Sequence, residues 1–236
     1  MCIRNKISVI TINYNNFSGL EKTLNSIKNQ NKKYFEYIII DGNSSDGSID
    51  LIKKNKSIID FSVIENDDGI FDAMNKGVEI STGKYLFFLN SGEIFIENDA
   101  LQKISMITEK VNTNLIIGKS LFTYDDINYF SQNFWPYFNH QSVLIKGSIH
   151  KDNLYDTNLK LLGDLELWLR LKSKNLLKYK KTNLKFVKMK LDGVGSSNSK
   201  KSIKLKIRDK KYILSKYPYS FYQYLSLIKL YIKLLF

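Results

Sequence analysis

The order of short apolar runs in the first part of the chain constrains the fold more than any other feature. β-Branched runs alternate with segments in which apolar residues recur at helical spacing, as Leu20, Leu24 and Ile27 do. The pattern predicts, in order, strand 6–13, helix 18–29, strand 34–41, helix 46–56, strand 61–65, helix 70–81 and strand 84–90. This alternation predicts an α/β fold with a doubly wound, mostly parallel sheet that binds ligands at the carboxyl ends of its strands.

The remainder of the 236-residue chain is less regular. Its pattern predicts strands near 114–119, 121–130, 142–145 and 176–190, a helix over 164–174 and basic helices from about residue 199. We therefore divide the chain into an α/β domain at 1–198 and a basic, amphipathic helical extension at 199–236.

Cysteine content and the N-terminal sequence both favour a cytoplasmic protein. The single cysteine, Cys2, excludes an internal disulfide framework and indicates a reducing compartment. The apolar run at 7–12 is too short for the hydrophobic core of a signal peptide and fits a strand instead.

Charge is distributed unevenly along the chain. Residues 1–170 hold 18 Lys and Arg against 21 Asp and Glu, whereas residues 171–236 hold 18 against only Asp192 and Asp209. A basic tail on a slightly acidic body indicates an anionic partner such as a lipid surface, nucleic acid or acidic glycan. The alternative is a Lys- and Asn-rich compositional bias without function.

Polar clusters follow each of the first four predicted strands, at 13–16, 41–48, 65–69 and 90–93. Each cluster alone is an ordinary turn, because Gly, Asn, Ser and Asp are common turn residues. Since the carboxyl ends of parallel strands share one edge of a sheet, the four clusters together predict a nucleotide site there.

Four segments resemble the family 2 glycosyltransferases with a GT-A fold: 7–16, 41–48, 67–77 (DDGIFDAMNKG) and 83–93 (GKYLFFLNSGE). The nearest subgroup is the one for bacterial colanic-acid, O-antigen and capsule biosynthesis. Later landmarks agree with it, namely 140–142, 163–170 and 192–194. The resemblance spans about residues 6–195, and it implies a glycosyltransferase that uses a nucleotide-sugar donor.

The resemblance implies that Asn13, Tyr14 and Asp41 hold the nucleotide base and ribose. Tyr14 would stack on or border the uracil ring, and Asp41 would accept a hydrogen bond from its imide. The alternatives are a rim aromatic at Tyr14 and a turn-forming carboxylate at Asp41.

The resemblance also places a donor-binding face on the third helix. Asp72, Asn75 and Lys76 share one helical face through i, i+3 and i+4 spacing, and Asp67 stands at the entrance of that helix. Asn90 belongs to the same donor set. The alternative is a solvated face with an Asp72–Lys76 pair that contributes only about 0.2–0.5 kcal/mol.

The segment 90–93 stands where the family usually has D-x-D. Asn90 and Gly92 occupy the two usual Asp places, so Glu93 is the only carboxylate. We expect Glu93 to ligate Mg²⁺ or Mn²⁺, because these hard cations prefer oxygen ligands and neutralise charge on a departing diphosphate. An ordinary turn is the alternative.

The family signature also indicates the catalytic residue. It places the general base at an Asp that opens a helix, which is Asp164 here, with Gly163 in place of the more usual acidic residue. An inverting transfer needs a carboxylate to take the acceptor hydroxyl proton, and an anion is stabilised at a helix N-terminus. A plain N-cap is the alternative. The resemblance assigns His140, Gln141 and Glu166 to the acceptor side.

The last 18 residues, 219–236, are mostly apolar, with a narrow polar stripe. Because two lysines interrupt a stretch only about 18 residues long, an interfacial helix on the inner face of the cytoplasmic membrane is favoured over a membrane span. That placement suits a polyprenyl-linked acceptor. The alternative is a helix that packs on the domain or in a homodimer. Nucleic acid is not expected, because the tail has no recognition motif and ends in apolar residues.

Together these features predict an inverting glycosyltransferase that moves a sugar from a UDP-sugar to a hydroxyl of a lipid-linked or polysaccharide acceptor. The alternative is a nucleotide-sugar-binding protein of the same fold that has lost turnover, because Asn90 and Gly92 replace two carboxylates. His150 matches no landmark, and we expect it at the surface.

Overall fold

The computed structural model describes residues 7–124, 127–133, 135–190, 199–218 and 221–235. Its N-terminal half consists of strands β1 (Ile7–Asn13), β2 (Phe35–Asp41), β3 (Phe61–Ile64) and β4 (Tyr85–Phe88), with helices α1 (Phe17–Lys28), α2 (Ser48–Lys54) and α3 (Ile70–Ile80) between them. The predicted order of strands and helices in this half is confirmed.

Strand β1 lies at the centre of the N-terminal half of the sheet. It pairs in parallel with β2 on one side and β4 on the other, and β3 adds in parallel to β2. Asn13 lies opposite Asp41 in this register. The carboxyl ends of β1 and β2 are therefore level, which brings their polar turns to the same edge of the sheet.

The C-terminal half extends the same sheet with mixed pairing. Its elements are β5 (Ile94–Phe95), α4 (Ala100–Lys110), β6 (Leu115–Tyr124), β7 (Ile127–Phe130), β8 (Val143–Lys146), α5 (Gly147–Lys151), α6 (Gly163–Ser173), β9 (Tyr179–Lys190), α7 (Lys200–Lys216) and α8 (Phe221–Leu235). The strand order is β3-β2-β1-β4-β8-β6-β9-β5, with β7 beside β6. Strand β8 runs antiparallel to both β4 and β6. Helices α4 and α5 and strand β5 are additions to the predicted elements.

Both faces of the sheet are buried, as a doubly wound arrangement requires. Successive residues of β1 point to opposite faces, so Ile10 joins one apolar cluster with Phe88 and Trp168. Val9 joins the other, with Phe186. The α/β fold class predicted from the sequence is confirmed.

Helix α7 is packed into the domain, while α8 is more exposed. Ile203, Ile207, Ile213 and Leu214 of α7 are buried, and Ile213 belongs to the larger apolar cluster. Residues 191–198 lie outside the described residues. This range includes the 192–194 landmark and ends at the predicted domain boundary between 198 and 199. Among the helices described, none combines the length and apolarity needed to cross a bilayer.

Candidate active site

The turn after β1 is tied to the turns after β2 and β4 by a buried polar network. Asn13 donates from Nδ2 to Asp41 Oδ2 at 2.7 Å, and its Oδ1 accepts from Ser91 Oγ at 2.7 Å. Ser44 donates to Asp41 through its backbone N–H and its hydroxyl. Asp41 is completely buried with three donors directed at it, so its position does not support the predicted direct contact with a base. Its carboxylate instead holds the strand ends together.

Beside this network the side chains of Tyr14 and Asp67 flank the backbone of Gly42, and these three residues are called the slot below. Tyr14 is 68% exposed at the rim. A Cβ placed on Gly42 would lie 2.9 Å from Asp67 Oδ2 and 3.0 Å from Tyr14 Cδ2, so the Gly42 backbone, the tyrosine ring and the Asp67 carboxylate converge. A side chain at position 42 would collide with both neighbours. The slot therefore brings together Tyr14 and Asp67 of the predicted donor set.

Lys76 lies in a cage of acidic side chains. Its Nζ is 2.7 Å from Asp67 Oδ1, 2.9 Å from Glu65 Oε1 and 3.2 Å from Asp72 Oδ2. Burial lowers the pKa of the Lys76 ammonium, but these carboxylates outweigh it and raise the pKa above its usual value. Lys76 thus fixes Asp67 at the slot, and the Asp72–Lys76 pair given as the alternative to a donor-binding face is present within this cluster.

Asn75, also predicted to bind donor, faces the interior instead. Its Nδ2 donates to the Tyr155 carbonyl at 3.0 Å, and its Oδ1 accepts from the Tyr155 N–H at 2.8 Å. This pair of bonds fixes α3 to the chain segment that precedes α6. The Asn75 amide is therefore used to connect two parts of the chain and is not exposed to a donor.

Glu93 closes the turn that replaces D-x-D. Its Oε2 accepts from the Asn90 backbone N–H at 2.9 Å, and its Oε1 accepts from Gln141 Nε2 at 3.1 Å. The side chain is buried, and this burial raises the pKa of Glu93. Gln141 is thereby joined to the turn as well as to the acceptor side.

The donor set around Glu93 fits a metal shared with a phosphate ligand. Among the residues that the structure describes, no group of three or more His, Cys, Asp or Glu forms a ready-made metal cluster. Each Glu93 oxygen accepts one hydrogen bond and keeps a lone pair. Mg²⁺ is commonly held by one or two carboxylates together with substrate phosphates, and one carboxylate of this kind is present here.

His140 and Asp164 form a short contact at the centre of the site. Nδ1 of His140 is 2.6 Å from Asp164 Oδ2. Burial lowers the pKa of His140, but the carboxylates of Asp164 and Glu93 outweigh it and raise the pKa to about 9. The imidazole is therefore protonated at neutral pH, and the contact is an ion pair.

The charge on His140 also fixes the orientation of Asn90. Asn90 Nδ2 lies 3.2 Å from His140 Nε2, and Asn90 Oδ1 has no partner. A doubly protonated ring donates from both nitrogens and cannot accept from an amide N–H. We therefore place the Asn90 oxygen, rather than its nitrogen, on Nε2, since the two amide atoms are assigned from their hydrogen bonds. This orientation removes the unpaired oxygen.

A large cavity opens beside Asp164. Its volume is about 1270 Å³, and Asn90, His140, Gln141 and Asp164 line it together with many apolar side chains. Asp164 lines the cavity with 26% of its side chain exposed, while its Oδ1 is buried beside Tyr155. The Asp164 side chain is therefore accessible to a hydroxyl group that enters the cavity.

Gly163 and Tyr155 shape the surroundings of Asp164, and neither role was expected from the sequence. A Cβ on Gly163 would lie 2.5 Å from Phe71 Cζ, so glycine at this position lets the Phe71 ring lie against the start of α6. Tyr155 stacks on Phe71 with ring centroids 5.2 Å apart. Burial, followed by the nearby Asp164 carboxylate, raises the pKa of Tyr155 well above its usual value.

Glu166 and His150 lie elsewhere than predicted. Glu166 is buried in an ion pair with Arg170 and accepts from Tyr217 Oη at 2.9 Å, and it does not line the cavity. Its position does not support contact with an acceptor, because the i,i+4 pair with Arg170 directs it into the interior. The expectation that His150 is at the surface is wrong: it is fully buried, next to Phe88 and Tyr155.

Comparisons with known proteins agree with this geometry. The chain is 35% identical over 119 residues to the poly(ribitol-phosphate) β-N-acetylglucosaminyltransferase TarP of Staphylococcus aureus, covering 48% of this chain and 36% of TarP. It spans less than half of the length of the curated relatives that it matches.

Two groups of solved structures share the fold. Residues 1–349 of S. aureus TarS, in complex with UDP-GlcNAc, match with a TM-score of 0.69 at 16% identity over 89% of this chain and 66% of that one. The mannosyltransferase PcManGT from Pyrobaculum calidifontis, in complex with GDP-Man and Mn²⁺, matches with a TM-score of 0.68 at 12% identity over 93% and 66%. Both confirm the GT-A fold of this chain.

The family model for glycosyl transferase family 2 matches residues 8–160, which contain the strand-end turns and the segment that leads to Asp164. The resemblance inferred from the motifs is confirmed, and the chain belongs to glycosyl transferase family 2.

Proposed function

We propose that this protein is an inverting glycosyltransferase that moves a sugar from a UDP-sugar to a hydroxyl acceptor, with Asp164 as general base. The observation that carries the proposal is the carboxylate of Asp164, which lines the cavity with 26% of its side chain exposed and whose Oδ2 is held by His140. This contact fixes the direction of the base beside the space that an acceptor would enter. Asn90 and the Glu93 turn adjoin it, which suits a donor held at the strand ends.

The slot between Tyr14, Gly42 and Asp67 suits the nucleotide base. The exposed aromatic ring offers a surface on which a base can stack. The carboxylate can accept a hydrogen bond from the imide N–H of uracil, so it favours uracil over a base that lacks this donor. We therefore assign to Asp67 the contact that the sequence assigned to Asp41. UDP-GlcNAc in complex with TarS and the N-acetylglucosaminyl group in the name of TarP support a UDP-sugar donor.

Glu93 is the residue that would hold Mg²⁺ or Mn²⁺, together with donor phosphate oxygens. When bound, the metal supplies positive charge to the departing diphosphate. Mn²⁺ in the PcManGT complex supports this assignment.

The reaction needs one proton acceptor and one leaving group. The acceptor hydroxyl transfers its proton to the Asp164 carboxylate while its oxygen forms a bond to the anomeric carbon, on the face opposite the diphosphate. The bond from that carbon to the diphosphate oxygen breaks, and UDP leaves with the electron pair. The His140 imidazolium favours the anionic form of Asp164 before the transfer and fixes its orientation.

The cavity beside Asp164 favours a lipid-linked phosphate acceptor over a plain glycan. Its apolar wall is formed by aliphatic as well as aromatic side chains: Ile70, Phe71, Met74, Phe122, Phe130, Phe138, Leu161, Met189 and Leu205. Lys160 and Arg208 line the same cavity and offer cations to a phosphate. Transfer to a polyprenyl-phosphate-linked sugar but not to the same sugar free in solution would support this acceptor class, and equal transfer to both would contradict it.

Helix α8 suits an anionic membrane surface. Tyr224, Leu225, Ile228, Tyr231 and Ile232 recur along one side of the helix and are 39–54% exposed. Lysines of α7 adjoin this face, as the Lys211 ammonium does over the Tyr231 ring at 5.6 Å. Apolar contact with lipid and attraction to anionic headgroups together favour a position of α8 in the membrane–water interface.

Co-sedimentation with vesicles tests this placement. We expect binding to phosphatidylglycerol vesicles, little to phosphatidylcholine vesicles, and loss of binding in Ile228→Asp. Met106→Asp on α4 is the matched control, because Met106 is 50% exposed away from this face. A doubled mass in solution that Ile228→Asp reduces to the monomer, with no vesicle binding by either protein, would assign the face to a homodimer instead.

Turnover of a panel of UDP-, GDP-, CMP- and dTDP-sugars tests the function. We expect one UDP-sugar to be hydrolysed slowly or transferred, with a 10²–10⁴-fold loss in Asp164→Asn and unchanged donor binding. Asp152→Asn, an exposed carboxylate nearby in the chain, is the control. Donor binding without any turnover by the wild type would support the degenerate binding protein.

A further inference from the structure

Helix α7 carries one acidic residue, Asp209, and the fold buries it. Only 1% of Asp209 is exposed, in a helix with eight lysines and arginines. A buried charge is costly unless hydrogen bonds compensate for it. Oδ1 of Asp209 accepts a hydrogen bond from Arg208 Nη2 at 2.9 Å, and Oδ2 accepts from the backbone of another segment.

Oδ2 of Asp209 accepts hydrogen bonds from three consecutive backbone N–H groups. These belong to Lys160, Leu161 and Leu162, at 2.8, 2.7 and 3.1 Å. A single carboxylate oxygen thus fixes the path of the chain over three residues. Charge-assisted bonds of this kind are about twice as strong as neutral ones.

The three residues lead directly into the catalytic helix. Leu162 is the N-cap of α6 and offers no side chain to cap it, and Asp164 follows in the first turn. The entry of the helix is therefore set from outside, by α7. A shift of the 160–162 backbone would move Asp164 relative to His140, which belongs to a different part of the chain.

Other bonds join α7 to the same segment farther from Asp164. Tyr212 Oη donates to Asp156 Oδ2 at 2.8 Å, and Lys216 Nζ lies 2.7 Å from the same oxygen. These bonds hold the start of the segment, whereas Asp209 holds its end. The two sets of bonds can be removed separately.

We propose that Asp209 is a positioning residue that holds Asp164 in register with His140 and the catalytic cavity. This inference rests on the proposed function for its effect on turnover, but not for its effect on geometry. A displacement of about 1 Å in a catalytic group can lower a rate about 10²-fold, because the reacting atoms must approach in a fixed orientation. The helical extension is on this view part of the catalytic machinery.

Two variants and a control test the role in catalysis. Asp209→Ala removes all the bonds, whereas Asp209→Asn keeps an acceptor oxygen without its charge. Tyr212→Phe is the matched control, because it removes the bonds of α7 to Asp156 and Asn158 and leaves the bonds of Asp209 in place. We expect kcat to fall about 10²-fold in Asp209→Ala and less in Asp209→Asn, with the donor Kd unchanged and Tyr212→Phe within about twofold of the wild type. A fall in kcat common to Asp209→Ala and Tyr212→Phe in proportion to Tm would overturn the proposal, and so would a weaker donor Kd with kcat unchanged.

An NMR titration tests the geometry without any turnover. The protein has two histidines, so the ring signals of His140 can be assigned by comparison with His150→Phe. We expect the pKa of His140 to fall toward its ordinary value in Asp209→Ala, because Asp164 moves away, and to stay raised in Tyr212→Phe. An unchanged titration in Asp209→Ala would refute the positioning role even if the enzyme proved active. A wild type that lacks turnover but titrates as expected would refute the proposed function and leave the positioning role standing.

Discussion

Replacing His140 with Gln should change how the stability of this protein depends on pH. Glutamine keeps an amide near Asn90 but cannot carry a charge opposite Asp164, to which His140 Nδ1 lies at 2.6 Å. In the wild type the ion pair contributes to folding only while the imidazole is protonated. The variant has no such contribution at any pH.

The magnitude follows from the difference between the folded and unfolded pKa of His140. The folded value is about 9, against 6.5 for an ordinary histidine. At about 1.36 kcal/mol per pKa unit, the protonated form contributes on the order of 3 kcal/mol. A raised folded pKa means that this contribution is fully present below pH 6.5 and is lost as pH rises through 9.

A buried lysine has the opposite effect in the same range. Burial lowers the pKa of Lys210 to about 8, so the folded protein loses that proton before the unfolded chain does and stability rises with pH. The two effects partly cancel in the wild type. The difference between the wild type and His140→Gln removes the lysine contribution, because it is common to both proteins.

Urea unfolding at pH 6.5, 7.5, 8.5 and 9.5 measures this difference. We expect the free energy of unfolding of the wild type to exceed that of His140→Gln by about 3 kcal/mol more at pH 6.5 than at pH 9.5. A difference that stays constant over this range would show that His140 is neutral in the folded protein. The ion pair, and with it the orientation of Asn90 inferred above, would then be wrong.

Three further predictions concern single positions. Burial lowers the pKa of His150 to about 4, so the folded protein resists protonation of this ring. The wild type should therefore lose about 2 kcal/mol of unfolding free energy, measured in urea, as the pH falls from 6.5 to 5, and His150→Phe should not show this loss. Gly163→Ala should lower Tm and kcat because its Cβ would press on Phe71, and Phe71→Leu in the same chain should recover part of both; no loss in Gly163→Ala would contradict that contact. Glu93→Gln should weaken Mn²⁺-dependent UDP-sugar binding measured by calorimetry while metal-free UDP binding stays the same, and an equal loss in both would assign Glu93 to the turn alone.

Local patterns were sufficient to predict the N-terminal half of the fold. Apolar runs such as 7–12 are buried on both faces, and strands of that kind differ sharply from the amphipathic helices between them. The mixed pairing of β6, β8 and β9 could not be predicted in the same way, because each of these strands finds its partner far along the chain. Nothing in a short window encodes that choice.

The candidate site also combines residues that local motifs predict with residues whose roles depend on distant contacts. The motifs identified Asp164 and His140, and the structure brings their side chains together. They did not show that Asp41 is fully buried and hydrogen-bonded to its neighbours, because burial of a turn residue depends on the adjacent strand. Asp209 did leave a signal, as an isolated acid in a strongly basic segment, but its partners are backbone N–H groups that no side-chain pattern reveals.

The layout of the sheet has a consequence for synthesis. The parallel part, β3-β2-β1-β4, is complete once residues 7–88 have emerged from the ribosome, whereas the bonds that hold the entry of α6 await α7 at Lys200–Lys216. Domains generally form from the N-terminus during translation. A nascent chain would thus complete the strand ends proposed to hold the nucleotide before the carboxylate proposed as the base is fixed, so that an arrested or clipped polypeptide could bind nucleotide sugar without consuming it.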